Sequence, residues 1–94
     1  MEYNIINLLE KIGMAQCDIK ELLENHPGLM IVDAKRAAKN ISVMMSVGMK
    51  KGELEEFSLM NPSYLFYDPK ELEEKLRALG EGAIQKILAD PSLI

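Results

Sequence analysis

The chain has 94 residues, a net charge of −4, 48% hydrophobic and 28% charged residues, and a single cysteine. That length holds one modest core and no second domain, and the composition excludes a disordered chain. Cys17 has no partner for an internal disulfide, no apolar run nears the roughly 20 residues of a membrane span, and charges interrupt the first apolar run, so a soluble, intracellular chain is expected.

The first apolar stripe, Ile5, Leu8, Leu9 and Ile12, predicts a helix over residues 4–12 that Gly13 closes in a left-handed conformation. A second helix is expected to begin between Ala15 and Asp18, because Asp18 to Glu21 has capping-box spacing. It buries Ile19, Leu22 and Leu23 and ends at Asn25-His26, since a residue before proline is driven out of helical geometry. Leu29 to Val32 has no partner strand, so a tight helical turn is preferred over a strand. Asp33 then caps a helix over 34–47 carrying Ala37, Ala38, Ile41, Met44 and Met45 at helical spacing, and Gly48 closes it.

A fourth helix over about 50–60 carries Leu54, Phe57 and Met60 and ends at Asn61-Pro62. Asp68-Pro69-Lys70-Glu71 combines an N-cap, a proline at the first helical position and a glutamate three residues after the cap. The helix it starts buries Leu72, Leu76 and Leu79, places Glu71 near Lys75 and Glu73 near Arg77, and stops at Gly80. The last helix, from Gly82 to Ala89, offers Ile84, Ile87 and Leu88 before Asp90-Pro91. Of Tyr3, Tyr64, Phe66 and Tyr67, the apolar patch Tyr64 to Tyr67 just after Pro62 reads as inter-helix core.

These elements repeat. Gly13-Met14 falls on Gly48-Met49, His26-Pro27 on Asn61-Pro62, Asp33 on Asp68 and Ile41 on Leu76, each 35 residues apart, and Asp90-Pro91 opens a third copy. A fixed period of this size marks helical units that complete their cores against their neighbours. The expected fold is therefore all-α: one domain, a short helical-repeat solenoid of about two and a half units with about six helices and short turns. Its parts are a half unit 1–13, units 14–48 and 49–80, and a partial terminal unit 81–94.

Pro62 is followed by Leu65, Leu72 and Leu79, one proline and then three leucines seven apart; Pro27 with Met30, Ala37 and Met44 and Pro91 with Ile94 echo it. This pattern resembles the repeat of the mitochondrial transcription termination factor family, mTERF. The resemblance implies units built from two crossing helices and a short third turn, and binding of DNA or RNA along a basic surface. It transfers no contact residues, because the matched prolines and leucines are structural. Pentatricopeptide repeats share the period but do not break at Asn/His-Pro followed by apolar pairs.

Residues 34–52 contain Lys35, Arg36, Lys39, Lys50 and Lys51 and no acid, so the remainder of the chain carries −9. Lys35, Lys39, Ser42 and Ser46 share one outer helix face, with Arg36 beside it. Lys35, Arg36, Lys39, Lys50 and Lys51 are accordingly the candidate nucleic-acid contacts, weak and salt-sensitive. The plain alternative is a solvated helix face. No aromatic interleaves these cations, so base stacking lacks its usual platform. Glu53, Glu56 and Glu71 to Glu74 form an acidic face that suits a basic protein, which makes a protein-interaction adaptor or a small homo-oligomerising domain the competing reading. Leu93 and Ile94 either dock back on Ile84 and Leu88 or pair with another molecule, giving a homodimer through this apolar end.

No enzyme is expected. His26 stands where Asn61 and Asp90 stand in the other copies and reads as a helix-closing residue. One histidine and one cysteine make no zinc set, and no glycine pattern for phosphate or dinucleotide binding occurs. Neither cofactor nor metal is expected.

Overall fold

Proline and glycine divide the chain. In the computed structural model, which describes residues 4–94, six helices alternate with two kinds of break. They are α1 (Ile5–Lys11), α2 (Gln16–Asn25), α3 (Ala34–Ser46), α4 (Lys51–Met60), α5 (Pro69–Leu79) and α6 (Ala83–Ala89). Three 3-10 turns, Pro27–Ile31, Pro62–Phe66 and Pro91–Leu93, follow α2, α4 and α6. Leu29 to Val32 is thus turn rather than strand. No helix among the described residues is long and apolar enough to cross a membrane.

The break before each turn has one cause. Proline pushes the preceding residue out of the helical region, and His26, Asn61 and Asp90 sit at φ −132°, −146° and −141° with ψ of 70°, 79° and 90°. Three different side chains adopt one backbone shape because the next residue imposes it. The other break is glycine's. Gly13 and Gly48 take φ of 94° and 113°, and in each case the following methionine amide reaches back to close the helix, Met14 to Leu9 (3.1 Å) and Met49 to Met44 (3.1 Å). Both methionines are buried there.

Helices α1, α3 and α5 begin on an Asn or Asp side chain. Asn4 accepts from the Asn7 amide at 2.9 Å, Asp33 from Lys35 at 3.0 Å and Arg36 at 3.4 Å, and Asp68 from Lys70 at 2.8 Å. In α2, Ala15 occupies the cap without a side-chain bond, and Asp18 lies inside the first turn. The expected capping box at Asp18 is therefore absent: the chain leaves the Gly13-Met14 closure through an extended Ala15 (φ −68°, ψ 150°), and the helix starts at Gln16. Asp18 instead meets the positive end of the helix dipole.

Helix α3 packs on both α1 and α5, forming one layer, while α2, α4 and α6 pair with α1, α3 and α5 respectively. The shared core contains Leu9, Leu29, Met44, Leu54, Phe57, Tyr64, Leu65, Leu72, Leu76 and Ile87, all fully buried. Equivalent positions 35 residues apart are buried together: Ile19 with Leu54, Leu22 with Phe57, Ala37 with Leu72, Ile41 with Leu76. Met45 and Met60, expected inside, are instead about half exposed. Asn40 completes the inner stripe of α3 that Met45 was assigned to. Met60, six residues after Leu54, has rotated well off its stripe, where Ser58 is buried instead.

Two polar groups hold the centre. Asn40, fully buried, donates its amide to the carbonyls of Tyr64 (2.9 Å), Leu65 (3.3 Å) and Tyr67 (2.7 Å), tying α3 to the second turn. Ser58 donates to Leu54 O at 2.7 Å and therefore accepts from the Tyr64 hydroxyl, also at 2.7 Å. Burial pushes the Tyr64 phenol up to about 12. The Phe57 and Tyr64 rings lie tilted at 5.5 Å.

Three details depart from expectation. Arg77 pairs with Glu73 at 2.5 Å as anticipated, but Lys75 lies over the Tyr67 ring, 5.6 Å from its centroid, rather than on Glu71. Phe66 is 43% exposed, while Tyr64 is buried and Tyr67 half-buried; Tyr3 falls outside the described residues. Ile94 docks into the core, whereas Leu93 stays exposed.

Candidate nucleic-acid interface

Because α3 and α5 lie side by side, both starting just after a 3-10 turn, their N-termini open on the same edge. Between them runs a groove of about 520 Å³ lined by Lys35, Arg36 and Lys39 from α3 and Pro69 and Lys70 from α5, with Asp33 and Asp68 at its base. The two aspartates accept backbone amides of Lys35, Arg36 and Lys70, which fixes them as caps. Four cations thus face two carboxylates. Among the described residues none of the four cations is salt-bridged, so their charge is available to an incoming anion. A shallower depression of about 360 Å³ continues up α3 along Lys35, Ala38, Lys39 and Ser42.

Lys35, Lys39 and Ser42 share the stripe on α3, while the Ser46 hydroxyl donates to the Val43 carbonyl at 2.7 Å. Lys50 and Lys51 do not join the groove. They start α4 beyond the Gly48 turn, at the far end of α3, roughly 20 Å from Lys35 by the rise of a helix of that length. Their neighbours are acidic: the Lys50 amide donates to Glu53 at 2.9 Å, and a Cβ at Gly13 would sit 3.7 Å from both Lys51 Cε and Glu55 Oε2.

Lys70 is the groove residue that linear reading misses. It sits in an otherwise acidic stretch, but it repeats Lys35 one period later: Asp33-Ala34-Lys35 becomes Asp68-Pro69-Lys70. The repeat carries that signal, since a residue two places after an N-cap must occupy the same spot in each unit. Arg36 and Lys39, by contrast, become Glu71 and Glu74.

His26 closes α2, and its ring forms no part of this groove. Cys17 is free and exposed in the first turn of α2.

Neither a curated protein nor a solved structure matches the chain significantly. The mTERF family model matches residues 3–92, almost the whole length over which the helix, turn, helix order recurs, and on that match the chain belongs to the mTERF family.

Proposed function

We propose that this chain is a non-enzymatic helical-repeat module that binds DNA or RNA through phosphate contacts in the groove between the starts of α3 and α5. The observation that carries the reading is the convergence of Lys35, Arg36, Lys39 and Lys70, none of them salt-bridged among the described residues, on that groove. Cations placed this way neutralise phosphates and release counterions without reading sequence. Lys50 and Lys51 would extend the track by roughly 20 Å, about six base pairs of a duplex at 3.4 Å each.

Fluorescence anisotropy against duplex DNA, single-stranded DNA and RNA, each at two salt concentrations, tests this. Four phosphate contacts predict a log-log salt slope of about −3.6 for duplex. Lys35→Glu with Lys39→Glu should abolish binding while the far-ultraviolet circular dichroism stays unchanged. Wild-type binding that survives this double substitution rejects the groove as the site.

A second reading, a protein-interaction module, is favoured by a different feature, the exposed apolar side chains Met30, Ile31, Phe66 and Leu93 on the uncharged turns.

A further inference from the structure

The three 3-10 turns form one continuous row. Phe66 Cζ in the second lies 3.7 Å from where a Cβ would stand on Gly28 in the first, and the Asn61 amide that opens the second turn donates to the Pro91 carbonyl of the third at 2.8 Å. Residues 27–32, 62–67 and 91–94, which make up this row, contain no charged side chain. Much of the row is apolar and open to solvent. Ile31 is 88% exposed and Met30 57%, with Phe66 and Leu93 above two-fifths, and Leu59 and Met60 at the end of α4 adjoin them at similar exposure. Isolated exposed apolar residues need no explanation, but a contiguous set marks an interaction surface.

The flanks of the row say what fits it. Along one side run the starts of α3 and α5, with Lys35, Arg36, Lys39 and Lys70. Along the other run the ends of α2, α4 and α6, with Glu24 and Asp90 exposed. Lys86, the cation nearest that side in α6, is turned onto the Leu79 carbonyl at 2.6 Å. An apolar strip with a basic margin and an acidic margin is complementary to itself.

We propose that this row is a homodimer face, in which two copies pack turn against like turn about a two-fold axis running along the row. That axis sets the lysine margin of each copy against the glutamate margin of the other. An axis lying across the row would stack the first turn on the third and oppose lysines to lysines, so charge selects between them. The contact is isologous, as two-fold symmetry requires, with an apolar centre and a charged rim. Six side chains fall short of the roughly 800 Å² per partner of a standard interface, so the dimer is weak, forming at micromolar to millimolar concentration, and depends on its charged margins. The lysine margin is also the lining of the groove, so a phosphate backbone seated there competes with the partner's carboxylates.

Sedimentation velocity of the full chain, without nucleic acid, over low micromolar to millimolar concentration is the test. A monomer–dimer equilibrium that weakens about tenfold with Ile31→Lys, a change of about 1.4 kcal/mol, and loosens with added salt is expected. Ile31 is so exposed that this variant keeps its fold, which circular dichroism verifies. Glu24→Lys and Lys35→Glu should each weaken the dimer, and the two combined in one chain should restore it. A chain that stays monomeric throughout, a dimer indifferent to Ile31→Lys, or no recovery in the combined variant overturns the proposal. So does a monomer that co-sediments with phosphatidylcholine/phosphatidylserine vesicles through Ile31, which would assign the row to a lipid surface. Because Lys35 serves both surfaces, groove binding is read separately by anisotropy on Ile31→Lys, which leaves the four groove cations in place.

Discussion

The two long copies, equivalent at an offset of 35 residues, agree on the inside and disagree on the outside. Ile19 and Leu54, Leu22 and Phe57, Ala37 and Leu72, Ile41 and Leu76 are buried in matching pairs. On the outer faces Arg36 is answered by Glu71 and Lys39 by Glu74, with only Lys35 and Lys70 alike. Burial dictates the first set, because an apolar residue lost there costs kilocalories. Nothing in the fold dictates the second, since exposed charges contribute within about 0.5 kcal/mol. One scaffold therefore presents a basic surface in one unit and an acidic surface in the next.

The largest test of the inner agreement is Leu76→Ala against Ile41→Ala. Both should lower the urea-denaturation stability by about 3 kcal/mol, and a difference beyond about 2 kcal/mol would break the equivalence. Alkaline titration sharpens a local difference, for the second unit has Tyr64 where the first has Leu29. The Tyr64 phenol is held at about 12 in the fold against an ordinary 10 when unfolded. The unfolded chain therefore releases this proton first. Stability is complete below pH 10 and declines by about 1.4 kcal/mol per pH unit as pH rises toward 12. Tyr64→Phe should remove that part of the slope, and tyrosinate absorbance should show one late-titrating group.

Asn40→Leu comes next. Losing its amide removes that donor from the Leu65 and Tyr67 carbonyls, while the Tyr64 carbonyl keeps the Tyr67 amide, and about 2 kcal/mol should go, whereas Lys75→Leu, one period on and exposed, should stay within about 0.5 kcal/mol. Smaller still are the caps: Asp33→Ala and Asp68→Ala should each cost about 1 kcal/mol, alike to within error. Least of all in stability is Glu71→Arg, expected within about 0.5 kcal/mol. In the anisotropy assay it should strengthen binding and steepen the salt slope by about one contact. No gain there would separate the outer face of α5 from the track.

Much of this was legible in the sequence. The prolines and glycines located every break, because each acts on its own backbone or its neighbour's, and the two aspartate caps announced α3 and α5. Asn40 was hidden because a polar residue between Lys39 and Ile41 looks solvent-facing until the carbonyls it meets, 24 to 27 residues away, are in place. Asp18 showed the opposite failure: its spacing fitted a cap, but the Met14 closure had already set where α2 starts. For the groove, the α3 stripe was readable from periodicity, while Lys70 joins it only because α5 lies beside α3. Lys50 and Lys51 adjoin the stripe in sequence yet stand a helix length away. Periodicity fixes a face, not which end of a helix a neighbour occupies.

The joints between units are fastened unequally. Asn40 clasps the first long unit to the second through three carbonyls, while Asn61 hooks the second to the last through one, that of Pro91. Under tension, or in the slow breathing that amide exchange records, the seam beside α6 is the place to part first, and α6 should lose protection well before α3 does. A chain of identical-looking modules thereby acquires a direction of unravelling, from its tail toward its middle.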